Sequence, residues 1–308
     1  VPAVTVTMKT GELLTALDSG KLTVSDKRSV VESPSAWLMS EFSNWGTTPM
    51  LTIDPSITNV GGMIYSAYVT GDNDYEVMSG TSMATPNMSG AFADVLSFLD
   101  FWGSYDGEDF GTLTKAERAK VAKDLLHSTA MILTDANGVP YSVRKQGAGM
   151  AAVDYALDYY AYSSYISDPL KELGDDPEKT GVYSFDVTFQ SNTGWDTIYS
   201  NIKPVVLFDA PAQAEGVVVN SLSSQLAQCD VTVTQNGKEI TQVTVPAGGS
   251  ATVTVTVTLS ADMKALFDAY YPNGSYVEGY VTFEEVDEED GSVFSAVHAT
   301  FLAFYGDW

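Results

Sequence analysis

In the last half of the chain, hydrophobic and polar residues alternate. Val253, Val255, Val257 and Leu259 are separated by threonines, the period of two of a strand with one face buried. Asn236-Gly237 lies between two such runs, Val231–Thr234 and Ile240–Val245, and predicts a tight hairpin, because both residues accept the left-handed backbone that such a turn needs. Asn273-Gly274 introduces a further run, Tyr276–Phe283, and Val293–Tyr305 closes the chain. Short strands at this spacing, punctuated by Gly, Pro and Asn, predict an all-β sandwich over residues 163–308.

Before residue 163 the texture is different. Three helices are predicted among loops and short strands, as in an α/β unit. One starts near Thr85-Pro86 and carries Ala91, Phe92, Val95, Leu96 and Leu99 on one side. The second starts at Thr114, where Thr114 and Glu117 have capping-box spacing, and runs through Val121, Leu125 and Leu126. The third spans about Ala151–Tyr160, entered through Gln146-Gly147-Ala148-Gly149. Further upstream, Val1–Val6 reads as a strand, Thr10–Leu17 as a short helix stopped by Gly20, and Lys21–Val24 and Ser29–Val31 as short extended pieces, with Pro34 marking a boundary. The abrupt start on a strand suggests a piece of a longer polypeptide.

Charge narrows the choice of partners. Fifteen basic against forty acidic residues among 308 give a net charge of -25, which opposes binding to nucleic acid and to anionic membrane surfaces. The acidic surface reads first as a solvated shell that favours solubility, and second as a site for basic substrates. A single cysteine, Cys229, rules out an internal disulfide and a thiolate metal cluster, and is read as a small hydrophobe near a strand. No run of about 18 apolar residues is present. The acidic run Glu284–Asp290 reads as an exposed hairpin turn in preference to a calcium loop, because regular ligand spacing is missing.

The string that carries chemistry is Gly80-Thr81-Ser82-Met83-Ala84-Thr85-Pro86. A serine at a helix N-terminus sits where unpaired amides and the helix dipole favour negative charge, so its own N–H can donate to an oxyanion on an attacked carbonyl. Gly80 allows close approach of a substrate backbone, and Pro86 suits a first helical turn. Ala84, Ser89 and Gly90 would let the helix pack tightly inside a domain. Taken alone, Ser82 or Thr85 could simply cap a helix.

The complete string resembles the serine motif of the subtilase family. Phe42-Ser43-Asn44-Trp45-Gly46, Pro55-Ser56-Ile57-Thr58 and Gly61-Gly62-Met63-Ile64-Tyr65-Ser66 look like the stretch that precedes the serine in the cell-envelope, lactocepin-like group. Asn59-Val60-Gly61 stands where that group usually has Ala-Pro-Gly. Arg144-Lys145-Gln146-Gly147-Ala148-Gly149 resembles the string opening the last catalytic-domain helix of the group, and the sandwich, ending in Phe301–Trp308, resembles its first fibronectin-type-III-like domain. The resemblance implies an α/β, partial subtilisin-like catalytic domain at 34–162 with Ser82 as nucleophile. Gly80 and Thr81 would bind substrate. Residues 1–33 would be the tail of an inserted protease-associated domain, and the whole would be an extracellular or cell-surface serine endopeptidase needing no cofactor or metal.

The same resemblance exposes a gap. A subtilase uses Asp, His and Ser in that chain order, yet no histidine precedes Ser82, and Asp54 and Asp72 have no proton relay to support. His127 and His298 follow the serine and read as structural. The chain is therefore expected to be inactive alone, with the missing N-terminal half of the catalytic domain as its partner and a protein or peptide as substrate. Exposed faces left by that half should favour self-association. Met63, Tyr65 and Tyr68 are expected mainly in the core, with a contribution to a specificity wall as the other reading. The alternative function is a non-catalytic cell-surface binding or scaffold protein retaining the serine helix; a third arrangement is one half of a nicked two-chain enzyme.

Overall fold

The computed structural model describes residues 8–16, 35–71, 74–105, 113–157, 164–191, 193–214, 217–287 and 289–308. The chain divides into two compact units, Val1–Ala36 and Trp37–Trp308. Within the first, α1 spans Met8–Thr15, two residues earlier than its sequence pattern suggests. The predicted strand Val1–Val6, the extended pieces at 21–24 and 29–31, Gly20 and Pro34 lie outside the described residues, as does Asp72.

The second unit opens with a loop region and an antiparallel hairpin, β1 (Ile64–Ala67) with β2 (Tyr75–Met78). Helices follow: α2 (Thr81–Tyr105), α3 (Lys115–Ser128), the single turn α4 (Val143–Gln146) and α5 (Val153–Leu157). The capping box of α3 forms as its spacing predicts, with the Glu117 carboxylate accepting from the Thr114 amide and the Thr114 hydroxyl from the Glu117 amide. Ala91, Val95 and Leu99 of α2 are buried, and Val95 and Leu99 pack with Val121, Leu125, Leu126 and Ala156. Two helix boundaries differ from expectation. α2 starts at Thr81, so Pro86 sits in its second turn, where the missing N–H leaves the Ser82 carbonyl without its i+4 donor. The third predicted helix starts at Val153 instead of Ala151, after Gln146 ends α4 and the next three residues form a turn, and residues 158–160 of that helix lie outside the described residues.

Strands fill the rest. One five-stranded sheet runs β10 (Lys238–Glu239), β9 (Cys229–Gln235), β12 (Ser250–Leu259), β5 (Val182–Ser191), β3 (Ser164–Ser167). The other runs β4 (Leu170–Asp176), β14 (Val293–Tyr305), β13 (Ser275–Val286), β7 (Asn201–Ala214), β8 (Val217–Leu226), with α6 (Ala261–Tyr270) between β12 and β13. A small pair joins β6 (Thr197–Tyr199) to β11 (Val243–Val245). The valines of β12 all point inward, as their alternation predicts, and meet Val281, Phe283, Val297 and Phe301 of the facing sheet. Asn236 and Gly237 take φ of 52° and 74°, the left-handed turn their identity predicts. The run after this turn is not one strand: β10 stays with β9, and Val243–Val245 crosses to β6. Glu284 is likewise no turn residue. It is buried in β13, accepting from Asn201 Nδ2 at 2.7 Å and Lys203 Nζ at 2.8 Å, and the turn itself starts at Asp287. Cys229 is half-buried against the sandwich core, and burial pushes its thiol up to about 11, so it stays protonated.

β13 and β14 are buried on both faces. One face meets the sandwich core; on the other, Tyr280, Leu302 and β7 Leu207 pack on Ile53 and Val143. Between those layers lies Arg144, nearly inaccessible, donating through Nη2 to Asp209 Oδ1 at 2.7 Å and Glu278 Oε1 at 3.1 Å. Its guanidinium also lies 3.9 Å from the Tyr276 ring centre. Burial opposes its charge, but the two carboxylates outweigh that and raise its pKa above the ordinary arginine value. Removing the cation would leave both carboxylates buried and uncompensated. Arg144→Ala should therefore cost about 3–5 kcal/mol in urea unfolding. Arg144→Lys, without the planar fork, should recover only part of that; a loss below about 1 kcal/mol in Arg144→Ala would contradict the assignment.

Candidate active site

Ser82 is the second residue of α2, in the first turn, and its side chain is exposed. The turn is built by Gly80, whose carbonyl accepts from the amides of Met83 at 3.0 Å and Ala84 at 3.3 Å. The Ser82 amide belongs to the first four of the helix, which have no intrahelical acceptor, and lies beside an exposed hydroxyl. That combination, an exposed hydroxyl beside an amide with no intrahelical acceptor at the positive end of a 25-residue helix, is one that favours negative charge. Gly80 is half-buried and Thr81 exposed, with the Thr81 carbonyl accepting from Thr85 Oγ1.

What supports the turn from below is Gly61. Its carbonyl accepts from the Gly80 amide at 2.8 Å, and a Cβ at this position would stand 2.7 Å from the Gly80 oxygen and 3.0 Å from Ala84 Cβ. Only glycine allows this approach. The departure Asn59-Val60-Gly61 thus keeps the residue that the contact needs, and Asn87 Nδ2 of α2 donates to the Val60 carbonyl.

The remaining surroundings are open. Met63 and Tyr65 are 72% and 69% exposed, and Tyr68 is exposed as well, so the expected core role for them is not found. Among the described residues the β1–β2 hairpin pairs with no third strand, its residues other than half-buried Ile64 are exposed, and Tyr65 stacks on Tyr75 across it. Ser89 and Gly90 are also exposed, and a Cβ on Gly90 would meet nothing within 4 Å, so of the small residues predicted to pack tightly only Ala84, close against Gly61, does so among the described residues. Ser89 borders a cavity of about 580 Å³ lined also by Thr81, Thr85, Met88, Phe92 and His127.

The histidines are held elsewhere, as their sequence positions suggest. His298 of β14 is buried, and its Nε2 lies 2.9 Å from the Ala148 carbonyl. A carbonyl only accepts, so Nε2 carries the proton. His127 of α3 is buried on the wall of the cavity. Asp54 is exposed in the loop before Pro55. Neither histidine is bonded to Ser82, and among the described residues no group of three or more His, Cys, Asp or Glu could hold a metal ion. Sequence reasoning missed Gly61, whose contact across 19 residues has no local signature, and also Tyr280 and His298 as supports of the neighbouring turn.

The comparisons agree with this architecture. Residues 15–149 match the Subtilase family, and residues 172–295 match a family described as Fn3-like domain. The two matches follow one another along the chain, the subtilase-like segment first and the Fn3-like one second. Among proteins, it is 28% identical to the PII-type proteinase of Lacticaseibacillus paracasei over 88% of this chain and 13% of that protein. It is 29% identical to a C5a peptidase of Streptococcus pyogenes over 100% of this chain and 24% of that protein. The chain therefore spans a quarter or less of the length of these relatives. Among solved structures, PapD-like domain 7 of human CEP192 aligns over 49% of this chain and 90% of that one, at 6% identity and a TM-score of 0.30.

Both histidines titrate against the fold. Burial first, then the charges of Lys123 and His298, lowers His127 to about 4; burial lowers His298 to about 4, against the hydrogen bond to Ala148. Their neutral forms are favoured in the folded state, so their stabilising contribution is complete above about 6.5 and is lost as pH falls through about 4. The melting temperature should drop between pH 6.5 and 4, by on the order of 5–10 °C from these residues. A His127→Gln/His298→Gln double variant should show a flatter dependence than wild type, and parallel curves would refute the assignment.

Proposed function

We propose that this chain is the C-terminal part of the catalytic domain of a subtilisin-like serine endopeptidase, at residues 34–162, followed by a fibronectin-type-III-like sandwich at 163–308. Residues 1–33 are the tail of a protease-associated insertion. The observation that carries this reading is the exposed Ser82 in the first turn of α2, inside the complete string Gly80–Pro86.

In the reaction, Ser82 Oγ attacks the carbonyl of a peptide bond. The oxyanion is met by the Ser82 amide, Gly80 and Thr81 border the substrate backbone, and the serine proton passes through a histidine to the leaving amine as the C–N bond breaks. Water then cleaves the resulting ester. An upstream segment supplies that histidine and its orienting aspartate. Loss of a triad member typically leaves only about 10³–10⁴-fold acceleration over water, and lacking two, this chain alone does not turn over peptide. The exposed β1–β2 hairpin and the open face of α2 are where that segment packs, and without it the chain self-associates. Names such as proteinase and C5a peptidase belong to the relatives; for this chain they support a protein or peptide substrate, and location outside the cell or on its surface.

A serine-directed fluorophosphonate probe read by intact mass tests the proposal. A longer polypeptide supplying the upstream Asp and His motifs should label once, and Ser82→Ala should abolish the label. The isolated chain should stay unlabelled. No labelling of either would favour a non-catalytic binding or scaffold protein, and Ser82-dependent labelling of the isolated chain would reveal a base within it.

A further inference from the structure

With its outer side exposed, the Ser82 turn has its close backbone support on the Gly61 side, and that support can be followed inward. Gly61 ends a segment that begins at Pro55. Thr58 in this segment bridges to the 146–151 stretch: its amide donates to the Gly149 carbonyl at 2.8 Å, its carbonyl accepts from Ala151 at 2.8 Å, and its hydroxyl donates to the Gln146 carbonyl at 3.2 Å. Ser56 accepts from the Ala148 amide at 2.9 Å. The Gly147–Gly149 turn is itself wedged between backbones: a Cβ on Gly147 would come within 2.3 Å of Ser56, and one on Gly149 within 2.5 Å of the Met131 carbonyl. Two side chains of the sandwich then anchor this turn from beneath. Tyr280 donates its buried hydroxyl to the Gly147 carbonyl at 3.0 Å, and His298 donates Nε2 to the next carbonyl, that of Ala148. Their rings meet edge to face, with centres 5.8 Å apart, so each also fixes the other.

We propose that Tyr280 and His298 are positioning residues for Ser82: by holding two consecutive carbonyls of the Gly147–Gly149 turn they fix Ser56–Thr58, hence Gly61, hence the Gly80 turn that presents the nucleophile. This makes the sandwich part of the catalytic geometry, beyond a spacer beside it. The inference rests on the peptidase reading of Ser82. Its physical basis is that the relay runs through two buried side-chain-to-carbonyl hydrogen bonds, then backbone hydrogen bonds and glycine contacts joined by the short Asn59–Val60 link, whereas on the hairpin side the restraint is the Met63 amide donating to Ser79 Oγ at 2.8 Å, at the base of exposed strands. Sub-ångström shifts of a nucleophile are costly in rate, because attack requires an aligned, close approach.

The test combines a readout without chemistry and one with it. Tyr280→Phe deletes one hydroxyl and keeps the ring. In this chain, Tyr280→Phe should raise amide hydrogen exchange about tenfold over residues 55–63 and 79–84. In the longer polypeptide that supplies the upstream motifs, it should slow Ser82 labelling and kcat roughly tenfold while KM changes less than about twofold. His298→Leu should behave alike, and His298→Gln, whose amide can still donate to Ala148, should restore most of the rate. Tyr199→Phe is the control: it removes a buried hydroxyl paired with Ser164, away from the relay, and should lower the melting temperature while leaving exchange at 79–84 and the labelling rate unchanged. If Tyr280→Phe behaves like Tyr199→Phe, the two residues serve stability alone and the inference is overturned. Failure of the peptidase reading has another signature, an unlabelled Ser82 in the wild-type longer polypeptide. That outcome removes the positioning role together with the nucleophile, even where exchange responds to Tyr280→Phe.

Discussion

A single buried cation holds the two halves of the Trp37–Trp308 unit in register. Arg144 leaves a helical turn of the first half and ends between Asp209 and Glu278 on two strands of the sandwich. Glu278 also accepts from Ser142 Oγ and from the Arg144 amide, so the carboxylate that neutralises the guanidinium also caps the turn that carries it. Such a cluster adds little to stability compared with a well-packed apolar core, but it tolerates only one geometry, since any shift of the layers would strand three charges away from water. Around it, Glu172 accepts from the Ile53 amide, and Lys120 of α3 pairs with Asp124 and with Asp168 near β4.

The consequence is a molecule built as a graded support. Deepest is the sheet pair β13–β14, buried on both faces, with Glu278, Tyr280 and His298 placing their polar groups on the face away from the sandwich core. Above it lie the Gly147–Gly149 turn and the Pro55–Gly61 segment, tied together by backbone bonds. At the top is the Ser82 turn, buried from below and open from outside. The nucleophile proposed at Ser82 would need this asymmetry, because it must be rigidly held and yet reachable. The openness here exceeds what a substrate cleft needs. Tyr65, Val69, Tyr75, Val77 and Met78 crowd one hairpin in the open, an apolar surface that water does not favour.

Much of this was legible in the sequence where the determinant is local. The capping box at Thr114, the Asn236-Gly237 turn and the alternation of β12 appear as predicted, because each depends on residues within a few positions of one another. The serine motif was readable for the same reason: seven consecutive residues place a hydroxyl at a helix start. Local reading failed where partners come from afar. It placed the α2 start four residues late, because proline marks first turns more often than second ones. It put Tyr65 and Met63 inside, because an aromatic-rich strand usually has something to lie on. It took Glu284 for a turn residue, since nothing near it in sequence announces Asn201 and Lys203.

By itself, then, the sequence determined the two structural textures, the position of the serine motif and the lack of a histidine among residues 1–81, all properties of residue identity and short spacing. Only the tertiary structure decided that Arg144 reaches two carboxylates 65 and 134 residues away, that β14 is covered on both faces, and that Gly61 rather than a side chain supports Gly80. The physical reason is that burial and charge pairing are set by what the folded layers bring together, and a period of two in a strand cannot tell whether its second face meets water or another layer.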